Sequence, residues 1–266
     1  MTAEIGIFGG SGFYSLAEGL RTEEVQTPYG APSGPVSLGE VAGRPVAFIP
    51  RHGPKHEIPA HRVNYRANLW AMRELGVTRV LGPCAAGSLQ RHVEPGHVVV
   101  CDQLVDRTYS REQTFYDGPD PVHISFAEPY CPELRPLACE AVREAGLPVH
   151  ERGTVVVIQG PRFSTKAESA WFGSAGWEVI NMTQYPEAYL ARELEMCYVN
   201  VSLITDHDAY LRDGDGVEPI TMDEVFRMFA ANLDTLRQAL LRLVERVPTD
   251  RSCPCSHAWD GTPLRP

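Results

Sequence analysis

Short apolar runs alternate with helix-like segments along most of this chain, and that alternation restricts the fold more than any other feature. Apolar runs of strand length, bounded by glycine, proline or charged residues, predict β-strands. Seven such runs occur: EIGIFG, RPVAFIP, TRVLGP, HVVVCDQL, GTVVVIQG, WEVINM and CYVNVSLI. Strands separated by helical crossovers form a mainly parallel or mixed sheet. The sequence therefore predicts an α/β fold.

The segments between these runs carry helix signals. Helices are predicted over residues 63–75, 132–145, 168–175, 186–194 and 221–247. Gly76 and Gly146 follow the first two, as expected of residues that end a helix. The last begins with the capping-box sequence TMDE. No Ser/Gly-rich or charge-run linker divides the 266 residues, so we predict one domain over 1–247 and a C-terminal tail over 248–266.

Composition removes several classes of function. A net charge of −10 argues against general binding to nucleic acid or to anionic membranes, because both need broad positive potential. No basic leader and no run of about 18 apolar residues is present, which predicts a cytoplasmic protein that does not enter the membrane.

The cysteines suggest a reducing compartment. The chain has 7 of them, scattered without CxxC pairs, and that spacing argues against a structural zinc site. Cys253 and Cys255 form a CxC pair in the tail. The pair has two interpretations: a redox-active or strained disulfide, or, as we expect, solvated thiols in a frayed terminus.

Two carboxylates follow the apolar run that begins at Cys197. Asp206 and Asp208 stand at its carboxyl end, where ligands of open parallel sheets bind. Residues two apart on an extended chain face the same side, so both carboxylates can reach one ligand. The alternative is a helix cap or turn, where aspartate is also frequent.

Other polar groups follow other predicted strands. GIFGGSGFY offers glycines and Ser11 to an anion, but it lacks the spacing of a Walker or GxGxxG loop. Arg51 follows the run VAFI and suits a phosphate oxyanion, although an exposed basic turn is the alternative. His52 and His56 lie beside it without the carboxylate or thiolate pattern of a metal site.

Two more strand ends supply aromatic, thioether and hydroxyl groups. Phe163 and Ser164 follow one run, and Met182 and Thr183 follow another. Each could separately be core, cap or turn. Together with the arginine and the acids they predict a pocket for a flat heterocycle, a sugar and an anion.

At this point the chain closely resembles the methylthioadenosine phosphorylase and purine nucleoside phosphorylase family, specifically its trimeric branch. The resemblance covers about residues 5–244 and is carried by these motifs: GIFGGSGFY, PRHGPKHEIPAHRVNYRAN, AAGSL, DQLVDRTYSREQTFYDG, HISFAEPYC, GPRFSTKAES, NMTQYPEAYLARE and TDHDA. It implies a single-domain nucleoside phosphorylase fold with a central mixed, partly barrel-like sheet flanked by helices. It also implies phosphorolysis of a purine nucleoside, with inorganic phosphate as co-substrate, no other cofactor and no metal.

The resemblance assigns expected roles to individual positions. Those expected to hold phosphate are Ser11, Arg51, His52, Ala85 and Thr183, with Cys84 as a departure where the methylthioadenosine branch typically has threonine. Met182 should lie against the ribose, Phe163 should stack on the base and Ser164 should bind its edge. Asp206 should lie at N7 and Asp208 near the six-amino group, because TDxD resembles the aminopurine form. Positions at the ribose 5′ end are His56, His123, Ile220, Met222 and Val225, with His123 coming from a neighbouring subunit of a homotrimer or dimer of trimers.

We therefore expect phosphorolysis of 5′-methylthioadenosine to adenine and 5-methylthioribose 1-phosphate. An apolar 5′ wall favours a methylthio group and leaves a hydroxyl unsatisfied, at a cost of about 1 to 3 kcal/mol. The alternatives are the same reaction on inosine, guanosine, adenosine or methylthioinosine, a purine-binding module without turnover, and a nicotinamide-dependent oxidoreductase.

Overall fold

A computed structural model describes residues 2–10, 13, 19–119, 122–211 and 221–260. In these residues a mixed sheet of 11 strands is flanked by α-helices, which confirms the predicted α/β class. The strands are β1 (Ile5–Gly9), β2 (Arg21–Glu23), β3 (Val36–Val41), β4 (Arg44–Pro50), β5 (Arg79–Ser88), β6 (Val98–Val99), β7 (Gln103–Arg107), β8 (Val149–His150), β9 (Thr154–Ile158), β10 (Val179–Asn181) and β11 (Cys197–His207).

Strand β5 is the centre of the sheet. It pairs in parallel with β1 and with β11, and its last residues pair antiparallel with β10. One arm of the sheet therefore has the order β2-β3-β4-β1-β5-β10-β9-β7, and a second arm leaves β5 through β11, β6 and β8. Because both edges of β5 are occupied, the strand is buried along nearly its whole length.

The five helices of the described residues match the predicted segments within a few positions. They are α1 (Tyr65–Glu74), α2 (Leu134–Glu144), α3 (Lys166–Ser174), α4 (Gln184–Glu193) and α5 (Met222–Arg246). Thr221 caps α5 by accepting a hydrogen bond from the backbone N–H of Glu224. One apolar face of α5, including Val225, Phe229, Leu236 and Leu240, is buried, and the helix packs on α2 and β11.

One predicted strand divides into two. The run HVVVCDQL becomes β6 and β7 because its ends pair in different arms of the sheet. β6 pairs with β11 and β8, whereas β7 pairs with β9. Between them Asp102 accepts a hydrogen bond from the backbone N–H of Gly153 at 3.0 Å. This bond holds the segment in which the chain passes from one arm of the sheet to the other. The short strands β2, β3 and β8 were not predicted.

The tail packs against the domain as far as residue 260. The Arg79 guanidinium donates to the carbonyl oxygens of Pro248 and Asp250, both at 2.8 Å. Arg251 donates to the carbonyl oxygen of Glu195, and the Trp259 indole N–H donates to that of Glu193. These bonds hold the segment in place. The boundary at residue 247 stays a prediction.

The CxC pair is not solvated. Cys255 is fully buried and Cys253 is 6% exposed, so the expectation of solvated thiols in a frayed terminus was wrong. A short 3₁₀ helix, Pro254–His257, turns both side chains into the apolar core that also holds Cys131 and Cys197. All seven cysteines lie in the described part of the chain, and all are free.

None of the helices that the structure describes is both long enough and apolar enough to cross a bilayer.

Candidate active site

A cavity of about 380 Å³ opens at the carboxyl ends of β1, β4, β9, β10 and β11. This is the edge where ligands of α/β sheets bind. Thirteen of the residues singled out from the sequence line it: Arg51, His52, His56, Cys84, Ala85, Phe163, Ser164, Met182, Thr183, Asp206, Asp208, Met222 and Val225. The strand-end argument predicted a common site for Arg51, Phe163, Ser164, Met182, Thr183, Asp206 and Asp208, and the family resemblance supplied the other positions.

Three of the expected residues remain to be accounted for. Ser11 and Ile220 lie outside the described residues. His123 is described and exposed, and it does not line the cavity of its own chain.

The two carboxylates stand at one end of the cavity. Asp206 is 5% and Asp208 is 3% exposed. The pairing of β11 with β5 shifts by one residue between Ile204 and Asp206, and the backbone N–H of Asp208 donates to the carbonyl oxygen of Ser88. Thus both acids remain tied to β5 at the mouth of the strand.

Neighbouring hydroxyls orient these acids. Thr205 Oγ1 donates to Asp206 Oδ1 at 2.7 Å, and Ser164 Oγ donates to Asp208 Oδ2 at 2.5 Å. Gly87 lies beside them, since a Cβ there would come within 3.2 Å of Asp206 Oδ2 and 3.0 Å of Ile180. The site can therefore present two carboxylates to the edge of a flat ring.

A buried guanidinium supplies positive charge to the same cavity. Arg51 is 1% exposed, and its Nε and Nη2 atoms donate to the two carboxylate oxygens of Glu187 at 2.6 and 2.8 Å. Its Nη1 atom donates to the carbonyl oxygen of Pro83. Burial lowers the pKa of Arg51, but the ion pair with Glu187 outweighs it and raises that pKa. Arg51 therefore stays positively charged, and its guanidinium is held in one orientation.

Gly10, which follows β1, lies close to this cation. A Cβ on Gly10 would lie 3.0 Å from the carbonyl oxygen of Pro83 and 3.3 Å from Arg51 Nη1. Glycine keeps that approach open, so the Gly10 backbone and the guanidinium face the same small volume.

His52 is a neutral imidazole beside Arg51. Its Nδ1 atom lies 2.9 Å from the carbonyl oxygen of Ile58, which can only accept, so Nδ1 carries the ring proton. Burial, and then the charge of Arg51, lower the pKa of His52 to about 3. Near neutral pH its Nε2 atom is therefore an acceptor.

The Cys84 thiol has polar partners. The side-chain amides of Asn181 and Asn200 both donate to its sulfur at 3.3 Å. The Ser202 hydroxyl lies 3.5 Å from the same sulfur. This thiol is 3% exposed, so it is a hydrogen-bonded part of the cavity wall.

Apolar and aromatic groups form the remaining wall. Val225 and Met222 come from the first turn of α5, and Met222 is 41% exposed at the rim. The His56 ring lies 4.6 Å from that of His52 and 5.3 Å from that of Phe226. A Cβ on Gly160 would lie 2.6 Å from Met182 Sδ, so a glycine at this position leaves room for the thioether.

Comparisons with known proteins agree with this geometry. The family model described as "Phosphorylase superfamily" matches residues 4–247. A purine nucleoside phosphorylase from Streptomyces coelicolor is 51% identical over 97% of this chain and 95% of its own. An S-methyl-5′-thioadenosine phosphorylase from Mycobacterium tuberculosis is 50% identical over 98% of this chain and 96% of its own.

The chain belongs to the phosphorylase superfamily.

A solved structure supports the same family assignment. Methylthioadenosine phosphorylase from Schistosoma mansoni in complex with adenine superposes with a TM-score of 0.86. The two sequences are 36% identical, and the match covers 91% of each chain. The expected family and the fold class are thus both confirmed.

Two residues that support the site were missed from the sequence. Glu187, in α4, is fully buried and also accepts a hydrogen bond from the Tyr198 hydroxyl at 2.7 Å. Arg111 donates to the carbonyl oxygens of Met182 and Tyr185 and to that of Gln159. The signal for Glu187 was present, because a buried arginine requires a carboxylate and the motif NMTQYPE offers one just after a strand.

We predict that Glu187→Gln destabilises the fold severely. Glutamine keeps the size but removes the charge, so Arg51 is left buried without its counter-ion. The expected loss in the free energy of unfolding is about 3 to 5 kcal/mol, measured by urea denaturation. The control is Glu140→Gln, whose carboxylate makes an exposed 3.8 Å pair with Arg246 and should change stability by about 1 kcal/mol or less. Equal small effects of both substitutions would contradict the buried-pair argument.

We also predict that His52 makes the fold sensitive to acid. The unfolded chain protonates this imidazole near pH 6.5, whereas the folded chain resists until about pH 3. Stability contributed above pH 6.5 is therefore lost as pH falls toward 3. Between pH 6.5 and 5 the loss is roughly 1.5 kcal/mol. His52→Gln, which keeps a donor for the Ile58 carbonyl, should lose correspondingly less stability in denaturation curves over that range. Parallel pH profiles for the two proteins would reject the assignment.

Proposed function

We propose that this protein catalyses the phosphorolysis of 5′-methylthioadenosine, releasing adenine and 5-methylthioribose 1-phosphate. The observation that carries the proposal is one cavity that holds two carboxylates, a permanent buried cation and an apolar wall. These suit the edge of an aminopurine, a phosphate ion and a methylthio group. The names of several relatives and the solved neighbours support the same reaction. The enzyme is thus a pentosyltransferase of the purine salvage type.

The reaction places opposite demands on the two ends of the cavity. A phosphate oxygen forms a bond to C1′ of the ribose while the bond from C1′ to the purine N9 breaks. The bonding electrons leave with the base, and positive charge builds on the sugar. A proton delivered to N7 makes the purine a better leaving group, and we assign that donation to Asp206. Asp206 is 5% exposed and its Oδ1 atom accepts a hydrogen bond from Thr205, so its carboxyl group is buried and held in position where it lines the cavity.

Phosphate is proposed to bind at the Arg51 end. Glu187 and Pro83 occupy three N–H groups of the guanidinium, which leaves one N–H on each of Nη1 and Nη2 for an anion. His52, Ala85 and Thr183 also line the cavity, and we propose that they hold phosphate together with Arg51 and Ser11. Neutral His52 would accept a hydrogen bond from a protonated phosphate oxygen. Since the Cys84 thiol is held by two asparagines, its contribution here is proposed to come from the backbone N–H.

The base is proposed to lie between Phe163 and the acids. Phe163 supplies an aromatic face, and Ser164 directs a hydrogen bond to Asp208. An Asp208 carboxylate oriented in this way can accept a hydrogen from a six-amino group. A six-oxo group would present an acceptor to an acceptor, so aminopurines are favoured over inosine and guanosine.

The sugar is proposed to extend toward α5. Met182 would lie against the ribose, and Met222, Val225 and His56 would enclose its 5′ substituent, with Ile220 nearby. Val225 gives a hydroxyl no partner, which favours methylthioadenosine over adenosine. His123, exposed in a single chain, is proposed to reach this end from a neighbouring subunit of a trimer. Sedimentation equilibrium gives the subunit number.

Phosphorylases of this superfamily take inorganic phosphate as co-substrate, and we propose no further cofactor for the reaction. The partners are the nucleoside and phosphate, with no nucleic acid or membrane surface, consistent with a net charge of −10. A cytoplasmic location stays a prediction.

The alternative function that a specific observation supports is phosphorolysis of six-oxopurine nucleosides. The Streptomyces coelicolor relative, at 51% identity, is named a purine nucleoside phosphorylase. Asp206, Asp208 and the apolar wall argue for methylthioadenosine instead. A binding module without turnover is opposed by the combination of acid and cation in one cavity.

The first test is base release from methylthioadenosine, adenosine, methylthioinosine and inosine, each with and without inorganic phosphate. We expect phosphate-dependent adenine release that is fastest from methylthioadenosine. Chromatography of the products measures the release. Preference for inosine or methylthioinosine would keep the phosphorylase and overturn the specificity. Binding of a nucleoside without release of its base would support a purine-binding module without turnover.

The second test is Asp206→Asn. Loss of the proton donor should lower methylthioadenosine turnover by ~10² to 10⁴, while activity on six-oxopurine nucleosides falls less, because an amide can donate to the acceptors of their ring edge. Steady-state kinetics on both substrates measure the shift. The control is Asp234→Asn on the exposed face of α5, which should match the parent protein. Unchanged turnover and selectivity in Asp206→Asn would reject the role.

A further inference from the structure

Four cysteine sulfurs meet in the core, away from the candidate active site. Cys131 precedes α2, Cys197 begins β11, and Cys253 and Cys255 come from the tail. Their sulfur atoms all lie within 4.8 Å of one another. None of the four lines the cavity that holds the acids and Arg51. The reaction proposed above therefore does not account for this cluster, referred to below as the four-cysteine cluster.

The spacing of the sulfurs suits a tetrahedral ion. Zinc with four sulfur ligands at about 2.3 Å separates each pair of sulfurs by about 3.8 Å. In the four-cysteine cluster the Cys197 and Cys253 sulfurs are 3.3 Å apart, and the other separations stay under the 4.8 Å limit. The range from 3.3 Å to the 4.8 Å limit therefore includes the separation expected of a tetrahedral zinc site.

The surroundings of the four-cysteine cluster favour neutralisation by a cation. Cys131, Cys197 and Cys255 are fully buried among apolar residues. A thiolate in an apolar core is costly unless an opposite charge accompanies it. A bound cation would meet that need directly.

We propose that the four-cysteine cluster binds one zinc ion as a closed structural site. Four protein thiolates fill the tetrahedral coordination, so no position remains for water or substrate, which separates this site from catalytic zinc. Binding of the ion releases the protons of the thiols, and no oxidation occurs.

The site would tie the tail to two elements of the domain. Cys253 and Cys255 lie between Arg251, which donates to the Glu195 carbonyl, and Trp259, which donates to that of Glu193. The ion would join this segment to the start of β11 and to the approach to α2. Its removal should loosen the tail while leaving the cavity residues in place.

The sequence did not predict the site, because two of its ligands are single cysteines far apart in the chain. The absence of CxxC pairs argued against zinc. The fold brings three separate segments together, and only the CxC pair is local.

The test uses the untagged full chain, expressed with zinc in the medium and purified without chelators. Elemental analysis by inductively coupled plasma mass spectrometry should find about one zinc per chain. Replacement by cobalt(II) should give thiolate-to-cobalt charge-transfer absorption and the visible bands of a tetrahedral sulfur site. Intact mass under denaturing, non-reducing conditions reads the oxidation state at the same time.

Variants separate this site from zinc bound elsewhere. Cys255→Ser should lose the zinc and the cobalt spectrum. The control Cys139→Ser, a buried cysteine of α2 outside the four-cysteine cluster, should keep both. If Cys255→Ser does not fold, the cobalt spectrum of the parent chain decides on its own.

Two disulfides are the competing outcome. A chain without metal, with a mass lower by two hydrogens for each disulfide, would be reduced anaerobically and offered zinc. Failure to bind after that treatment would overturn the proposal, as would a fully reduced chain that takes up neither zinc nor cobalt. Neither result bears on phosphorolysis, because nucleoside turnover is measured separately.

Discussion

The buried ion pair between Arg51 and Glu187 is the interaction on which the site depends. Arg51 follows β4, Glu187 lies in α4, and the Tyr198 hydroxyl of β11 donates to the same carboxylate. Removing either charge would leave the other in the core without compensation, which costs far more than an exposed pair. The folded state therefore requires the end of β4, helix α4 and strand β11 to pack together. Their packing places a cation beside the end of β1 and the middle of β5.

This arrangement explains why the cavity has distinct ends. The guanidinium is held by Glu187 and the Pro83 carbonyl, whereas the acids are held by Thr205, Ser164 and the backbone of β5. Each charged group is therefore oriented by protein partners before a ligand binds. Groups fixed in advance do not have to reorganise when charge develops, which is how preorganised sites stabilise a transition state.

Local patterns predicted the parts of this fold that depend on local structure. The helices and most strands followed from periodicity and caps, and the strand-end rule brought Asp206, Arg51 and Met182 to one cavity. The split of β6 from β7 was missed because each pairs with a different arm of the sheet. Glu187 was missed for a similar reason, since its importance lies in a partner 136 positions away. Roles for individual atoms came from the family resemblance, because each residue alone also fitted a core, cap or turn.

Cys84 shows the difference between identity and environment. From the sequence it is a departure that removes a hydroxyl. In the structure its sulfur accepts from Asn181 and Asn200, so the thiol completes a buried network. The sequence identified the substitution, but the partners that make it tolerable lie on β10 and β11.

Helix α4 connects the site to the tail. Its first turns carry Glu187, and its last residue, Glu193, accepts hydrogen bonds through its carboxylate from Thr114 and the Phe115 backbone. The Glu193 carbonyl accepts from Trp259 in the tail. A helix anchored at both ends holds its side chains more rigidly than one anchored at a single end. A zinc ion in the four-cysteine cluster would therefore hold Trp259 against the last residue of α4, at the opposite end of the helix from Glu187, and so would act on the tail and not on the cavity.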